Sequence, residues 1–238
     1  TPKVVQHYNA LLGAGLSMLL LRLPDASQEQ YEDCIRAIEP RHRSKVILAD
    51  YFHLVPMAGL GGIHLKASRQ KEWKHWQEVA QTQRIMVSAH SLDELESLPF
   101  CPDLALLSPV FDSISKGGYH ANIDLDECRS RLPKLPFPVL ALGGITPDNY
   151  PLVCSYGFAG GATLGYLAEQ VDAMEEAFSR FARPEVLTIA GHDPSSGAGL
   201  TADVRTIERL GAYPLSVTTC LTIQDEFEFV ACQSVDFM

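Results

Sequence analysis

The sequence predicts an α/β protein in which a (β/α)8 TIM barrel lacking its first strand is followed by a smaller, partial βαβ unit. Short apolar runs alternate with helical patterns, and several runs are apolar on both faces, as is usual for parallel strands that helices cover. Seven such runs follow an initial helical pattern, whereas a closed barrel of this type has eight strands. We therefore expect the missing strand to precede Thr1.

The strands are assigned to the apolar runs and the helices to the periodic segments around them. The predicted barrel strands are 18–22, 45–49, 62–66, 84–88, 103–108, 138–142 and 160–164. The predicted helices are 4–14, 27–38, 52–57, 71–82, 91–97, 124–132, 147–155 and 168–182. Ser27 with Gln30, and Ser91 with Glu94, have the spacing of a capping box, which marks the first turn of a helix.

A second unit begins after Arg183, where Pro184 interrupts the alternating pattern. Its predicted elements are a strand at 186–190, a glycine-rich loop, a helix to about residue 210 and a strand at 215–219. One βαβ unit of this length cannot bury both faces of its strands. We therefore predict two domains, a barrel at 1–183 and a fragment of a second domain at 184–238.

Charge, hydropathy and cysteine usage exclude several classes of function. The formal net charge of −10 argues against a nucleic-acid or anionic-membrane surface, because both need a basic patch. No apolar stretch approaches the roughly 18 residues that span a bilayer. The six cysteines are scattered without metal-ligand spacing, which predicts reduced thiols in a cytoplasmic protein. A barrel without its first strand exposes two sheet edges, and exposed edges predict a homo-oligomer.

Polar side chains gather at the carboxyl ends of the predicted strands, where barrel enzymes place their active sites. Arg22, Asp50 and Lys66 follow the first three strands, and Ser88 ends the fourth. The loops after the later strands add hydroxyls, one lysine and glycines, namely Ser113, Ser115, Lys116, Gly143, Gly144 and Gly165. Cations, hydroxyls and glycines at one rim predict the binding of a phosphorylated small molecule.

The glycines after the last two strands predict the position of the phosphate. At 139–149 an apolar run passes through Gly143 and Gly144 into a predicted helix start, and the next run ends at Gly165. Glycine lets the backbone approach a ligand closely, and a helix N-terminus offers free N–H groups to an anion. In a complete barrel these are the loops after strands 7 and 8, which form the usual phosphate site.

Two histidines and a lysine are candidates for catalysis or anion binding. His90 is the best acid or base because imidazole titrates near neutral pH, although it equally fits a helix cap or a donor to a backbone carbonyl. His64 points into the barrel by strand alternation, which fits a core histidine with satisfied hydrogen bonds. Lys116 lies beside serines and glycines, which favours anion binding over simple exposure.

Four barrel segments resemble the thiamine phosphate synthase family, which includes the related thiazole tautomerases. They are residues 62–65 (GIHL), 87–95 (VSAHSLDEL), 108–116 (SPVFDSISK) and 141–149 (ALGGITPDN). In that family the synthases join a pyrimidine diphosphate to thiazole phosphate, and Mg²⁺ and basic residues hold the diphosphate. The resemblance, which covers residues 1–182, implies diphosphate or metal contacts at Arg22, Asp50, Ser88, Ser113, Ser115 and Lys116, and thiazole-phosphate contacts at Gly144 and Gly165.

Three positions depart from the synthase pattern. Pro24 stands in place of a lysine, Ala49 in place of an asparagine, and Arg69 in place of a second metal-binding aspartate. Asp50 thus remains the one candidate metal ligand, and a cation at Arg69 disfavours Mg²⁺ but suits direct binding of an anion. The tautomerases need no diphosphate site, and in them a histidine at the position of His90 moves the proton.

The second unit resembles the start of hydroxymethylpyrimidine (phosphate) kinase, which is a ribokinase-like enzyme. The likeness lies in residues 187–203 and 221–224. It implies a pyrimidine site at Gly191, Asp203 and Gln224. The ATP site of that family lies in the later half of its domain, so residues 184–238 alone are not expected to phosphorylate a substrate.

Together, these observations predict an enzyme of thiamin biosynthesis whose ligands are a phosphorylated thiazole and a pyrimidine. Loss of the metal ligands, with His90 and the phosphate glycines kept, favours tautomerase chemistry. Two alternatives stay open. One is an active synthase, and the other is a non-catalytic barrel that binds thiazole phosphate as a scaffold for a fused pyrimidine kinase.

Overall fold

The computed structural model describes residues 2–79, 83–112, 121–182, 185–195, 197–209, 212–224 and 229–235. The chain divides into two units, Thr1–Phe181 and Ala182–Met238, and each has its own sheet. Among the described residues, no helix combines the length and the apolar character needed to cross a membrane.

The first unit is built on a parallel sheet whose strands follow one another in chain order. The strands are β1 (Leu19–Leu21), β2 (Val46–Leu48), β3 (Gly62–Leu65), β4 (Arg84–Ala89), β5 (Leu104–Leu107), β6 (Val139–Leu142) and β7 (Gly160–Ala162). Each overlaps the apolar run predicted for it, so the predicted barrel-type sheet is confirmed. Within the part of the chain that the structure describes, β1 and β7 are the edge strands, and the sheet is open between them.

Helices surround this sheet. They are α1 (Pro2–Gly13), α2 (Gln28–Ala37), α3 (Leu54–Ala58), α4 (Trp73–Val79), α5 (Leu92–Glu96), α6 (Leu125–Arg131), α7 (Tyr150–Ser155), α8 (Gly165–Ala168) and α9 (Met174–Ser179). The predicted capping box of α2 is present. Ser27 Oγ accepts from the Gln30 N–H at 3.3 Å, and Gln30 Oε1 accepts from the Ser27 N–H at 2.8 Å.

Apolar side chains cover both faces of the sheet. On the outer face, Ile63 and Leu65 are buried in one large cluster with the helices. On the inner face, Ile47, Met86 and Leu106 form a smaller cluster. Burial on two sides explains why these strands appear in the sequence as continuous apolar runs rather than as alternating ones.

Two predicted helices of the first unit differ from the observed ones. α7 begins at Tyr150, three residues later than predicted, because residues 147–149 form a turn. The helix predicted at 168–182 is shortened to α9, which 3-10 turns at Val171–Ala173 and Arg180–Ala182 flank, and α8 is not among the predicted helices. Gln170 follows the end of α8, and its side-chain Nε2 donates to the carbonyl oxygen of Tyr166 at 3.1 Å, which satisfies a backbone group of the helix terminus.

In the second unit, the described residues form a three-stranded sheet and one helix. The predicted βαβ arrangement is present as β8 (Glu185–His192), α10 (Gly199–Arg209) and β9 (Tyr213–Gln224), with β8 parallel to β9. β9 is longer than the strand predicted at 215–219, and β10 (Phe229–Ser234), which pairs antiparallel with β9, is not among the predicted strands. The unit is therefore a βαβ element extended by a hairpin.

Candidate active site

A cavity of about 490 Å³ opens where β1, β2 and β3 end. Its lining residues are Arg22, Leu23, Pro24, Asp25, Ala26, Tyr31, Asp50, Tyr51, Lys66 and Arg69. The cavity brings together the predicted site residues Arg22, Asp50 and Lys66, and it adds Arg69. Three cations and two carboxylates line it, so its charge is opposite in sign to the net charge of the chain.

Asp50 is paired with two cations of the cavity wall. Lys66 Nζ donates to Asp50 Oδ2 at 3.2 Å, and Arg69 Nη1 lies 3.9 Å from Asp50 Oδ1. All three side chains are partly buried, which weakens the solvent screening that makes surface ion pairs worth little. Asp50 thus holds the ends of Lys66 and Arg69 at the cavity.

The groups around Asp50 do not fit the Mg²⁺ that the resemblance implies. Mg²⁺ prefers an octahedron of carboxylate, phosphate and water oxygens, whereas cations approach both oxygens of Asp50. A positive charge about 4 Å away costs about 4 kcal/mol for each unit of metal charge at an effective dielectric of about 20. In the described ranges, no group of three or more His, Cys, Asp and Glu side chains is arranged to hold a metal.

Arg69 is fixed by three side chains, Phe52, Glu72 and Trp76, which we call the Arg69 clamp. Arg69 Nε and Nη2 donate to the two carboxylate oxygens of Glu72 at 3.1 and 2.9 Å. The guanidinium carbon lies 4.4 Å from the Phe52 ring centre and 5.9 Å from that of Trp76. The hydrogen bonds from Arg69 and then from Trp76 lower the pKa of Glu72 to about 2. Glu72 therefore stays ionised, and able to accept from Arg69, at any ordinary pH.

The loops after β1 and β2 are locked together by two tyrosines. Asp25 and Tyr51, both in the cavity wall, have left-handed backbone conformations with φ of 58° and 52°. The Tyr51 hydroxyl donates to the Ala26 carbonyl at 3.1 Å, and its ring meets the buried Tyr31 ring at 5.1 Å. Tyr31 Oη in turn accepts from the Leu23 N–H at 2.9 Å. Strain of this kind costs about 1–3 kcal/mol per residue, and it collects at functional sites.

His64 lies inside the barrel beside Ser88. His64 Nε2 and Ser88 Oγ, on neighbouring strands, are hydrogen bonded at 2.7 Å. His64 is only 5% exposed, and its Nδ1 lacks a hydrogen-bond partner among the residues described. Its predicted place in the core is confirmed, but the expectation of satisfied hydrogen bonds is wrong at Nδ1. Burial first, and then the charges of Lys66 and Arg22, lower the pKa of His64 to about 4.

This lowered pKa predicts that acid destabilises the fold between pH 6.5 and about 4. In that range the unfolded chain protonates His64 and the folded protein does not, so stability is complete above the unfolded pKa and falls as the pH approaches the folded one. The total loss is about 3 kcal/mol. Urea unfolding at pH 7, 5 and 4 would measure it. The His64→Gln variant should lack this loss, the exposed His53→Gln control should keep it, and parallel pH curves for all three proteins would contradict the prediction.

His90 follows β4 at the carboxyl edge of the sheet. Its Nδ1 lies 3.0 Å from the carbonyl oxygen of Ser108. Because a carbonyl oxygen only accepts, Nδ1 carries the proton and Nε2 of the neutral ring keeps its lone pair. Ser91 Oγ accepts from the Glu94 N–H at 3.1 Å as predicted, but the Glu94 carboxylate accepts from the His90 N–H at 2.7 Å, so one half of the predicted capping box is present. The structure thus shows the backbone contact that one interpretation predicts, and it leaves Nε2 able to accept a proton.

The turn after β6 contains Gly143 and Gly144, whose φ angles are 101° and 63°. A Cβ atom at Gly144 would lie 2.4 Å from the carbonyl oxygen of Asp112, so this turn approaches the loop after β5 too closely for a side chain. Asn149 closes the turn, since its Nδ2 donates to the Gly144 carbonyl and its Oδ1 accepts from the Thr146 N–H, each at 2.9 Å. The helix predicted to begin at residue 147 therefore begins only after Asn149, whose side chain binds the turn instead.

Of the remaining predicted barrel residues, the structure describes Gly165. Gly165 begins α8, shortly after the end of β7. Ser113, Ser115 and Lys116 lie outside the described residues, so their placement at the site stays a prediction.

The predicted pyrimidine-site residues of the second unit lie on three elements. Asp203 is on α10, and its Oδ2 accepts from the Thr188 hydroxyl at 2.6 Å. Gly191 lies in β8, where a Cβ atom would be 2.6 Å from Sγ of Cys220, so only glycine fits there without a shift. Gln224 is the last residue of β9.

Asp193, which is not among the predicted site residues, organises the glycine-rich loop. It is 5% exposed, and its Oδ1 accepts from the Ser195 N–H at 2.8 Å and from the Ser195 hydroxyl at 2.7 Å. Its Oδ2 accepts from the Ala198 N–H at 3.0 Å. The available signal is an aspartate followed by proline and serine, which is typical of a turn that the carboxylate caps.

Comparison with models of protein families shows which family the barrel belongs to. A family model described as thiamine monophosphate synthase matches residues 2–166, which include all of β1–β7. This chain belongs to that family. A second model, described as phosphomethylpyrimidine kinase, matches residues 193–237. The two resemblances predicted from the sequence are therefore confirmed.

The relatives of this thiamine monophosphate synthase family member include both fused and single proteins. Thiamine biosynthesis bifunctional protein ThiED of Geobacter sulfurreducens is 38% identical over 153 residues, which are 59% of this chain and 31% of that protein. Thiamine-phosphate synthase of Salmonella typhimurium is 28% identical over 192 residues, which are 79% of this chain and 88% of the enzyme. The match thus spans about a third of the length of the bifunctional relative.

Solved structures of the same family share the fold. Thiamine phosphate pyrophosphorylase from Bacteroides thetaiotaomicron superimposes with a TM-score of 0.61 at 24% identity and covers 75% of this chain and 88% of its own. The corresponding protein from Pyrococcus furiosus has a TM-score of 0.61 at 19% identity and covers 75% and 87%. At these identities the likeness supports the architecture of the barrel and not its substrate.

Proposed function

We propose that the barrel is a thiamine phosphate synthase, which joins a hydroxymethylpyrimidine diphosphate to a thiazole phosphate. In this reaction the bond from the pyrimidine methylene carbon to the diphosphate oxygen breaks, and its electron pair leaves with the diphosphate. The thiazole nitrogen then forms the new bond to that carbon. The observation that carries the proposal is the grouping of Arg22, Lys66 and Arg69 at one cavity.

Cations suit this reaction because negative charge develops on the leaving diphosphate. Charged donors that are already in place stabilise such charge without reorganising during the step. Lys66 is held by Asp50, and Arg69 is held by its clamp, so both are positioned before the substrate arrives. Ser88, which lies one strand away, is positioned by its hydrogen bond to His64.

The thiazole phosphate is assigned to the turn at Gly143 and Gly144. The two positive φ angles there expose backbone groups that a residue with a side chain would cover. Asn149 keeps the turn in one conformation through its two hydrogen bonds. A phosphate at this turn would lie at the same edge of the sheet as the cationic cavity, because both follow the carboxyl ends of parallel strands.

Isomerisation of a thiazole carboxylate phosphate, which the sequence favours, is the second candidate. Its support is the lone pair on His90 Nε2, which could move a proton. The named relatives are synthases or bifunctional biosynthesis proteins, so they favour the condensation instead. For the second unit, we propose that Gly191, Asp203 and Gln224 contact a pyrimidine in a kinase domain.

The test is a pair of assays on the full-length protein that carries this sequence. One mixture contains thiazole phosphate and pyrimidine diphosphate, and the other contains the thiazole carboxylate phosphate. We expect thiamin phosphate in the first, with a fall of about 100-fold in a Lys66→Met variant. The exposed Arg36→Met variant, a cation on α2, is the matched control and should keep full activity.

Three results would overturn the proposed synthase. Turnover of the carboxylate alone, lost in His90→Asn, would favour the isomerase. Binding of thiazole phosphate without any product would favour the scaffold. Equal synthase activity in the Lys66→Met and Arg36→Met variants would show that the cationic cavity is not the site.

A further inference from the structure

We propose that this chain binds the diphosphate without a metal, through Arg69, Lys66 and Arg22, and that Asp50 holds Lys66 and Arg69 instead of ligating Mg²⁺. The diphosphate as ligand rests on the proposed function, whereas the metal-free anion site rests on the cavity itself. The contacts that make Asp50 a poor ligand for Mg²⁺ are the same contacts that position Lys66 and Arg69 for an anion.

Both carboxylate oxygens of Asp50 already face cations. Its Oδ2 accepts from Lys66 Nζ at 3.2 Å, and its Oδ1 lies 3.9 Å from Arg69 Nη1. A divalent cation at Asp50 would have to displace both side chains or lie against two positive charges. A phosphate oxygen entering the same cavity meets the opposite situation, because the cations already point at one acceptor and can share their donors with a second.

The Arg69 guanidinium is held from one side and faces the cavity with Nη1. Its Nε and Nη2 are used by Glu72, and one face of its guanidinium lies on the Phe52 ring. Its Nη1 is 3.9 Å from Asp50 Oδ1, which is too long for a hydrogen bond. The clamp therefore orders the arginine while leaving Nη1, at the cavity, able to donate to a ligand oxygen.

The cavity has more positive than negative side chains in its wall. Arg22, Lys66 and Arg69 line the cavity with two carboxylates, Asp25 and Asp50, in a chain whose net charge is −10. A local excess of positive charge on an acidic protein attracts anions selectively, because the rest of the surface repels them. With a volume of about 490 Å³, the cavity is also within the range of small-molecule sites.

The experiment is calorimetric titration of the full-length protein with inorganic pyrophosphate, once in EDTA and once in Mg²⁺. We expect binding in EDTA that Mg²⁺ strengthens less than threefold. The Arg69→Asp variant restores a carboxylate beside Asp50, so we expect its affinity in EDTA to fall at least tenfold and to recover when Mg²⁺ is added. The Arg36→Asp variant makes the same charge change on an exposed helix position and should bind like the parent protein.

A thermal melt checks that each variant is folded, and Lys66→Gln replaces Arg69→Asp if the latter is not. Lys66→Gln should weaken pyrophosphate binding in EDTA at least tenfold. The proposal is overturned if the parent protein binds pyrophosphate only with Mg²⁺, or if neither cavity variant binds more weakly than Arg36→Asp. Metal-free binding without synthase activity would support this inference and refute the proposed function. Synthase activity with strictly Mg²⁺-dependent binding would do the reverse.

Discussion

Replacing Phe52 by alanine is expected to lower the free energy of unfolding by about 4 kcal/mol and to weaken anion binding at the cavity. Phe52 is 1% exposed and lies in the main apolar cluster. The guanidinium carbon of Arg69 lies 4.4 Å from the centre of its ring, and the Trp76 ring is nearly perpendicular to it with the ring centres 4.9 Å apart. The substitution thus removes buried volume and one side of the Arg69 clamp together.

Chemical denaturation and pyrophosphate titration would separate these two effects. Phe52→Leu is the matched control, because it keeps most of the apolar volume and removes the aromatic face. We expect it to cost about 1–2 kcal/mol of stability but to weaken anion binding nearly as much as Phe52→Ala. If Phe52→Leu bound pyrophosphate as tightly as the parent protein, the ring would serve only the core.

The Gly144→Ala substitution is expected to destabilise the barrel by about 3 kcal/mol, of which about 1 arises from the backbone and the rest from crowding. At φ 63° any residue with a Cβ atom is strained. The new Cβ atom would also lie 2.4 Å from the Asp112 carbonyl oxygen and 2.7 Å from Phe111 Cβ. The loop after β5 would have to move, and binding of thiazole phosphate should be lost with it.

Gly59→Ala is the control for this prediction. Gly59 has nearly the same φ, 68°, but an added Cβ atom there meets nothing within 4 Å. Urea unfolding of the two variants should show a cost of about 1 kcal/mol for Gly59→Ala and a clearly larger one for Gly144→Ala. Equal costs would mean that the Gly144 turn can relax, and that its close approach to residue 112 has no energetic weight.

The strands of the barrel could be predicted because burial on both faces leaves a strong local pattern. Ile63 and Leu65 face the helices, and His64 between them faces the interior. β3 therefore appears as one apolar run that only His64 interrupts. β10 has a weaker pattern, because its apolar run at 229–232 is short and Val230 within it is exposed. It contains Cys232, Gln233 and Ser234 and depends on pairing with β9, so its strand character comes from a partner rather than from its own sequence.

The residues that follow adjacent parallel strands could also be predicted to meet. Arg22, Asp50 and Lys66 do so because β1, β2 and β3 are neighbours in the sheet. The Arg69 clamp could be predicted only in part. Glu72 follows Arg69 by three residues and Trp76 follows Glu72 by four, which are the spacings of neighbours on a helical surface and a usable signal. Phe52 comes from a distant segment, and no local spacing connects it to Arg69.

Each strand of the barrel sheet pairs with the strand next to it in the chain, which makes assembly a series of short, similar steps. The entropy lost on closing a loop rises only with the logarithm of its length, so adding β7 costs hardly more than adding β2. Among the described strands, pairing joins only neighbours in the chain, whereas α1 packs against α8 and α9 at the other end of the unit through Leu11, Leu167 and Ala177. During synthesis, such a sheet can grow by accretion, one βα unit at a time, on the edge that the preceding unit has just formed.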